Sequence, residues 1–265
     1  MTREPRRSRL FQLMVWLVLA FLLIPSFVVI PVSLTDTSYL ALPENGLSLQ
    51  YWAEVFTNPQ WARGFKQSLI IAVSATAAAT FAGTLCAIGC WRLSSRLGEI
   101  IRVLTLVPII VPTIVYALGL YRFYANLDLL DTYVGVIASH AAIGLPYVVI
   151  TVGAALANFD RKLEQAARSL GASATQTLIR VILPNVKAGI FSGAVFAFIT
   201  SWDELVIVLF VASRKIQTLP REIWSGVRES LDPTIAVVAV LLIGVTMLAL
   251  IIAMRPFRRR SASLA

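Results

Sequence analysis

The sequence runs to 265 residues, of which 58% are hydrophobic and only 14% charged, and its mean hydropathy is +0.79. That excludes an ordinary soluble domain and points to an all-α, polytopic membrane protein. The net charge of +9 does not indicate nucleic acid, because the basic residues gather at the ends of apolar segments, where they fix orientation.

In chain order, a basic start at residues 3–9 leads into an apolar run over about 10–32. That run is roughly twice the length of a signal-peptide core and lacks a small-residue cleavage pattern before Ser33, so it is expected to be retained as a first span, kinked by Pro25. Residues 33–66 are polar and carry Trp52, Phe56 and Trp61, which suits an interfacial helix over 50–56 with aromatic anchoring at headgroup level. The second span, about 67–91, is dense in alanine with Gly83 and Gly89, a composition for close helix packing. Its Cys86 and Cys90, one helical turn apart, are poorly placed for a disulfide and too few for a metal site, and no cofactor or metal is expected. Arg92 and Arg96 follow in a short loop.

The third span, about 101–121, holds Pro108 and Pro112 one turn apart on one face. They are expected to bend the helix and free carbonyls that only protein or a wet cavity tolerates, so the segment either lines a pathway or simply packs around a kink. An acidic tip at 123–132, with Asp128 and Asp131, precedes a fourth span over 133–157 containing Pro146 and the sole histidine, His140, read as a hydrogen-bonded structural residue.

The polar interval 158–187 has the strongest internal pattern. Leu163, Ala166, Ala167 and Leu170 recur at i, i+3, i+4 and i+7, with Arg161, Lys162, Glu164, Gln165 and Arg168 elsewhere, which predicts a short amphipathic helix. Asp160 caps its start and Gly171 ends it. Ser173 and Gln176 have capping-box spacing for a second short helix with Leu178, Ile179 and Ile182, which Pro184 is expected to stop. Periodicity alone leaves two readings, an ordered loop or a knuckle that protrudes toward a partner. The fifth span, about 188–212, carries Asp203 and Glu204 within its apolar length; 213–233 is polar, with Trp224 among charges; the sixth span, 234–254, ends at Arg255 and the tail Arg258-Arg259-Arg260.

The run Glu164-Gln165-Ala166-Ala167-Arg168-Ser169-Leu170-Gly171-Ala172-Ser173, with Leu183-Pro184 beyond it, closely resembles the EAA loop of permease subunits of bacterial type I ABC importers. There, the resemblance implies, the loop is the coupling helix seated in a cleft of the ATPase subunit. Counting back from Gly171, the family's glutamate falls at Gln165, with Glu164 one place earlier. Ser201-Trp202-Asp203-Glu204, Thr218-Leu219-Pro220, Ile223-Trp224-Ser225-Gly226 and Asp232-Pro233-Thr234 look like the C-terminal half of the spermidine and putrescine permeases. The resemblance implies a six-span permease for a small cationic solute, two copies of an ATP-binding subunit, a second permease subunit, identical or paralogous, and a periplasmic solute-binding protein, for which the 33–66 segment is one possible dock.

Orientation follows independently. Residues 1–9, the Arg92–Arg96 loop, the 158–187 loop and the 255–265 tail carry four, two, five and four basic residues, against two, none and four in the intervening segments. This places both termini and the loop on the cytoplasmic side of a six-span domain over 10–254, and the resemblance implies that the membrane is the bacterial inner membrane. The chain has no phosphate-loop motif, so ATP hydrolysis is assigned to a partner. Matching halves, expected of many ion-coupled secondary transporters, are not evident, and the scattered histidine, cysteines and acidic pair do not compose an enzyme site.

Asp203 and Glu204 are the sharpest pathway candidates. A carboxylate at membrane depth costs roughly 2.5–3.5 kcal/mol, so it needs water or a partner. Helical neighbours point about a hundred degrees apart, so the two are not expected to share a pocket. One can meet a solute ammonium while Trp202 or Tyr116 offers a ring face, or Asp203 can pair with a base such as Arg122 or cap a broken helix.

Overall fold

The computed structural model describes residues 9–93, 95–229 and 231–261, with side chains described for 11–93, 95–229 and 231–252. The readings made on residues 1–8, and on the side chains of Arg255, Arg258, Arg259 and Arg260, lie outside these. The described residues form helices and connecting loops, without a strand. Among the described residues, five helices are long and apolar enough to cross a membrane: Phe11–Val32, Pro59–Leu93, Tyr133–Ala157, Ala174–Trp202 and Thr234–Ile252.

The chain divides into two compact units. The first comprises Met1–Ala62 with Ile223–Gly244. In it, α1 (Arg9–Val32) exposes apolar side chains along its length, which lipid tolerates and water does not. A turn at Ser33 ends it, and Asp36 then organises the following loop by accepting from the N–H groups of Glu44 and Asn45 and from the Asn45 amide. A helix does form where one is expected over 50–56, as α2 (Gln50–Thr57).

The second unit, Arg63–Glu222 with Val245–Ala265, holds the main bundle. Here most of α3 (Pro59–Leu93) packs small residues inward: Ala72, Ala75, Ala79 and Ala87 are buried, and a Cβ at Gly83 would lie 2.8 Å from Val148 Cβ. The same device draws α7 (Tyr133–Ala157) against α10 (Leu183–Trp202), where a Cβ at Gly189 would stand 2.7 Å from both Ala155 Cβ and Thr151 O. Helices in lipid gain little from hydrophobic association, so close backbone approach supplies the dispersion contact that holds them together. His140 of α7 meets Ser201 of α10 across this crossing, Nδ1 to Oγ 2.8 Å, as suits a structural histidine.

Two expectations about continuity are corrected. The third span is broken rather than kinked: α4 (Arg96–Thr105), α5 (Val107–Ile110) and α6 (Thr113–Ala125) follow one another. Pro108 sits in the first turn of α5, and Pro112, by disfavouring helical backbone at Val111, forces an extended residue (φ −76°, ψ 130°) before α6. Conversely, Pro184 does not stop a helix. Pro184 has no N–H and its ring crowds the preceding turn; a wide turn over Leu178–Ile182, closed by Leu183 N–H to Leu178 O, absorbs both. Hence α9 (Ala174–Thr177), this turn and α10 form one rod, Ala174–Trp202, 29 residues long, or roughly 43 Å.

The end of α7 that Asp131 precedes is fastened by a clasp. Asp131, at φ 54°, accepts from the backbone N–H groups of Ser213, Arg214 and Lys215 and from the Ser213 hydroxyl, all within 3.1 Å. Burial, the largest single influence, pushes its carboxyl upward, but the converging donors outweigh it and bring the pKa from 3.8 to about 2. A depressed native pKa means the clasp is fully engaged above pH 3.8 and is lost as pH falls toward 2. Asp131→Asn, which keeps one acceptor and turns an amide donor on the N–H groups, is expected to weaken the clasp by roughly 2 kcal/mol. Tryptic cleavage after the exposed Arg214 and Lys215 should then accelerate several-fold at pH 7; unchanged cleavage would show that the loop is held by other means.

Candidate functional site

The knuckle is built from local signals that reinforce one another. Asp160 accepts from Lys162 N–H (2.9 Å) at the start of α8 (Arg161–Ser169), and Glu164 in its first turn and Arg168 in its last complement the helix dipole. At the other end, Ala172 N–H bonds to Ala167 O and Gly171 N–H to Arg168 O, the paired closure of a Schellman motif, with Gly171 at φ +86°. Ser173 then opens α9 with a complete capping box: its Oγ accepts from Gln176 N–H (3.2 Å) and its N–H donates to Gln176 Oε1 (2.9 Å).

The outcome is two short helices in a fixed elbow, with apolar side chains held out. Leu170 is 89% exposed, and Ile179 and Leu163 are also exposed. Ala166, Gln165 and Ser173 are exposed and Ala167 and Ala172 half-buried, so these residues form one surface. Leu183 and Pro184 lie further on, in the rod, with Leu183 packed against the α7–α10 core. Glu164 turns inward to Arg92 Nη2 at 3.5 Å, while Gln165 stays outward. Trp91, beside Arg92, is met by the Phe159 ring edge-on (centroids 5.8 Å, 79°) and by the Arg161 guanidinium at 4.8 Å from its centroid. The two contacts made by charged groups lie at the partly exposed surface and each contributes on the order of 1 kcal/mol or less, while the Trp91 and Phe159 rings also pack against the α7–α10 core. The charged contacts position the knuckle without deciding whether the bundle folds.

The pathway candidates lie elsewhere and do not converge. Asp203 is the C-cap of α10, and 203–205 is a non-helical break before α11 (Val206–Val211), so the two carboxylates are not helical neighbours. Glu204 Oε1 accepts from Ile207 N–H (3.0 Å) and caps α11, while Asp203 is exposed and forms no ion pair among the described residues, with Arg122 or otherwise. Trp202 is corrected as a ring platform: it is 1% exposed, stacked on Phe198 (5.8 Å, 15°) and edged by Phe65 (5.8 Å, 84°), which leaves no face for a cation. Tyr116 packs half-buried against the α6–α7–α11 cluster, and no hydrogen bond joins it to either carboxylate among the described residues. Pro108 and Pro112 mark the breaks flanking α5. Sequence reasoning passed over Trp91; the available signal was an aromatic residue directly before a basic one at a helix end.

Apolar helices long enough to cross a membrane, one of them carrying a capped knuckle, define a polytopic helical membrane protein. The chain belongs to the family of binding-protein-dependent transport system inner membrane components, which matches residues 79–262. It is 28% identical over 246 residues to the spermidine/putrescine transport system permease protein PotC of Haemophilus influenzae, covering 93% of this chain and 95% of that one. Against the Escherichia coli protein of the same name, identity is 29% over 224 residues, 84% of each chain. The fold is similar to that of a chain in the crystal structure of a bacterial alginate ABC transporter in complex with an alginate pentasaccharide-bound periplasmic protein (TM-score 0.72, 14% identity, 94% of each chain). The family is one of transport subunits rather than enzymes, and the chain is a membrane protein of the ABC importer permease type.

Proposed function

We propose that this permease imports a small cationic solute, a polyamine such as spermidine or putrescine, across a bacterial inner membrane, driven by ATP hydrolysis on a separate subunit. The assembly contains two copies of that ATP-binding subunit, a second permease subunit, identical or paralogous, and a periplasmic solute-binding protein, with both termini of this chain cytoplasmic. The observation that carries this reading is the knuckle: an exposed Leu170 at an elbow fixed by caps on both sides, mounted on an unbroken rod that ends at the Asp203 break. A docked ATPase that displaces the elbow moves the whole rod, because a helix transmits axial displacement without internal slack. Asp203, exposed where the rod ends, is the group that meets the solute's ammonium. Polyamines are the named substrates of the relatives that cover most of the chain, which supports the cationic class.

The test is reconstitution in proteoliposomes with the cognate ATPase, second permease and binding protein. Labelled spermidine or putrescine should accumulate only with internal ATP and the binding protein, and unlabelled polyamines should compete where amino acids and oxyanions do not. Uptake driven by a proton or sodium gradient without the ATPase would overturn the reading in favour of a secondary transporter; ATP-dependent uptake of an anionic or neutral solute only would overturn the polyamine assignment.

A further inference from the structure

We infer that α3 is a second transmission element, clasped to the knuckle at one end and to the loop 215–219 at the other, with Trp91 and Arg92 as its positioning residues. The inference rests on the coupling role proposed for the knuckle.

Arg161 and Glu164 are three residues apart in α8 and therefore share a face. That face meets two consecutive residues at the end of α3: Arg161 over the Trp91 ring at 4.8 Å, and Glu164 with Arg92 at 3.5 Å. A cleft of about 350 Å³ opens beside the clasp, lined by Trp91, Arg92, Arg161, Gln165 and Arg168 among others. The clasp therefore borders an open cleft and ties α8 directly to the end of α3. Glu164, displaced by one place from the family's glutamate, is turned toward its own chain.

From Arg92 back to Gln67, α3 contains no proline and spans roughly 38 Å, enough to cross the hydrocarbon core. At the Gln67 end its side chains grip an irregular segment. Gln67 Nε2 donates to Lys215 O (2.9 Å), Gln217 N–H donates to Gln67 Oε1 (2.6 Å), and Leu219 N–H donates to Ser68 Oγ (2.8 Å). Gln67 and Ser68 are both buried, so these bonds are shielded from competing water. Displacement of α8 therefore reaches the 215–219 loop through α3, in parallel with the rod that reaches Asp203. Coupling is reciprocal, so a protein that binds at the far loop biases the knuckle by the same route.

The experiment measures ATP hydrolysis by the full complex in proteoliposomes, with and without solute-loaded binding protein. Trp91→Leu and Arg92→Gln are expected to keep normal abundance, assembly and basal hydrolysis but to lose about five-fold or more of the stimulation by loaded binding protein. Gln67→Met, which removes both bonds to the loop at similar size, is expected to lose stimulation in the same sense. The reversed pair Arg92→Glu with Glu164→Arg is expected to recover most of what Arg92→Glu alone loses. Full stimulation in Trp91→Leu and Arg92→Gln, or no recovery in the reversed pair, would overturn the inference. Gly171→Val in the same assay separates the two layers. If it loses stimulation while the α3 variants keep theirs, the knuckle reading stands and this inference fails; if it too keeps full stimulation, the knuckle reading fails and the inference with it.

Discussion

Gly171→Val is expected to cut ATP-driven uptake by about ten-fold or more while leaving membrane insertion and abundance unchanged. Gly171 holds φ +86°, and a left-handed conformation costs an ordinary residue roughly 1–2 kcal/mol, most in a β-branched one. A Cβ built there meets nothing within 4 Å, so the penalty is conformational and not a clash. The strain is relieved by releasing the two closing bonds from Gly171 and Ala172, which lets α8 swing relative to the rod. Displacement of the elbow is then absorbed in the hinge. Because the defect is one of backbone, Gly171→Asn should retain most activity, since asparagine adopts the left-handed region readily, although its volume is close to that of valine. Equal loss in Asn and Val would mean that the exposed surface is reading side-chain bulk, and normal uptake in Val would remove the elbow from the mechanism altogether.

The elbow was legible in the sequence because its signals are local: Asp160, Gly171 and the Ser173–Gln176 spacing each fix a helix end by chemistry within a few residues, and each is realised with the expected bonds. Span existence was legible for the same reason, since hydropathy over about 20 residues needs no tertiary information. Continuity was not. Pro112 and Pro184 present the same residue type inside apolar runs, yet the first breaks its helix and the second is bridged by a wide turn. Leu183 before Pro184 keeps helical backbone (φ −57°, ψ −43°) beside the wide turn, whereas Val111 before Pro112 is extended, and no local motif distinguishes the two. Long-range polar contacts were equally hidden: Gln67 with Lys215 and Gln217, and Asp131 with Ser213 and Lys215, join residues far apart in sequence that carry no motif. The Trp202 expectation failed because an aromatic residue next to an acidic pair looks available until Phe65 and Phe198 are seen to enclose it.

The break at 203–205 separates the roles of two carboxylates that adjacency had joined, and the second large expected effect follows from that separation. Glu204 serves backbone structure: its Oε1 satisfies Ile207 N–H at the start of α11, where Ile207, Val208 and Val211 are buried. Gln at this position keeps a carbonyl acceptor, so Glu204→Gln should transport near normally, whereas Glu204→Ala forfeits a cap worth about 1 kcal/mol and should lower abundance. Asp203 has no such duty. It is exposed at the end of the rod and forms no ion pair among the described residues. On the proposed pathway a passing ammonium pairs with that carboxylate, and a hydrogen bond to a charged group contributes roughly 1.5–3 kcal/mol. Asp203→Asn is therefore expected to reduce uptake of spermidine or putrescine by about ten-fold or more at subsaturating concentration, with assembly and basal ATP hydrolysis unchanged. Asp203→Glu, which restores the charge one methylene further out, should recover part of the loss. Wild-type uptake in Asp203→Asn, or a loss of assembly in parallel with uptake, would remove Asp203 from the solute's path, and with it the intramembrane support for a cationic substrate.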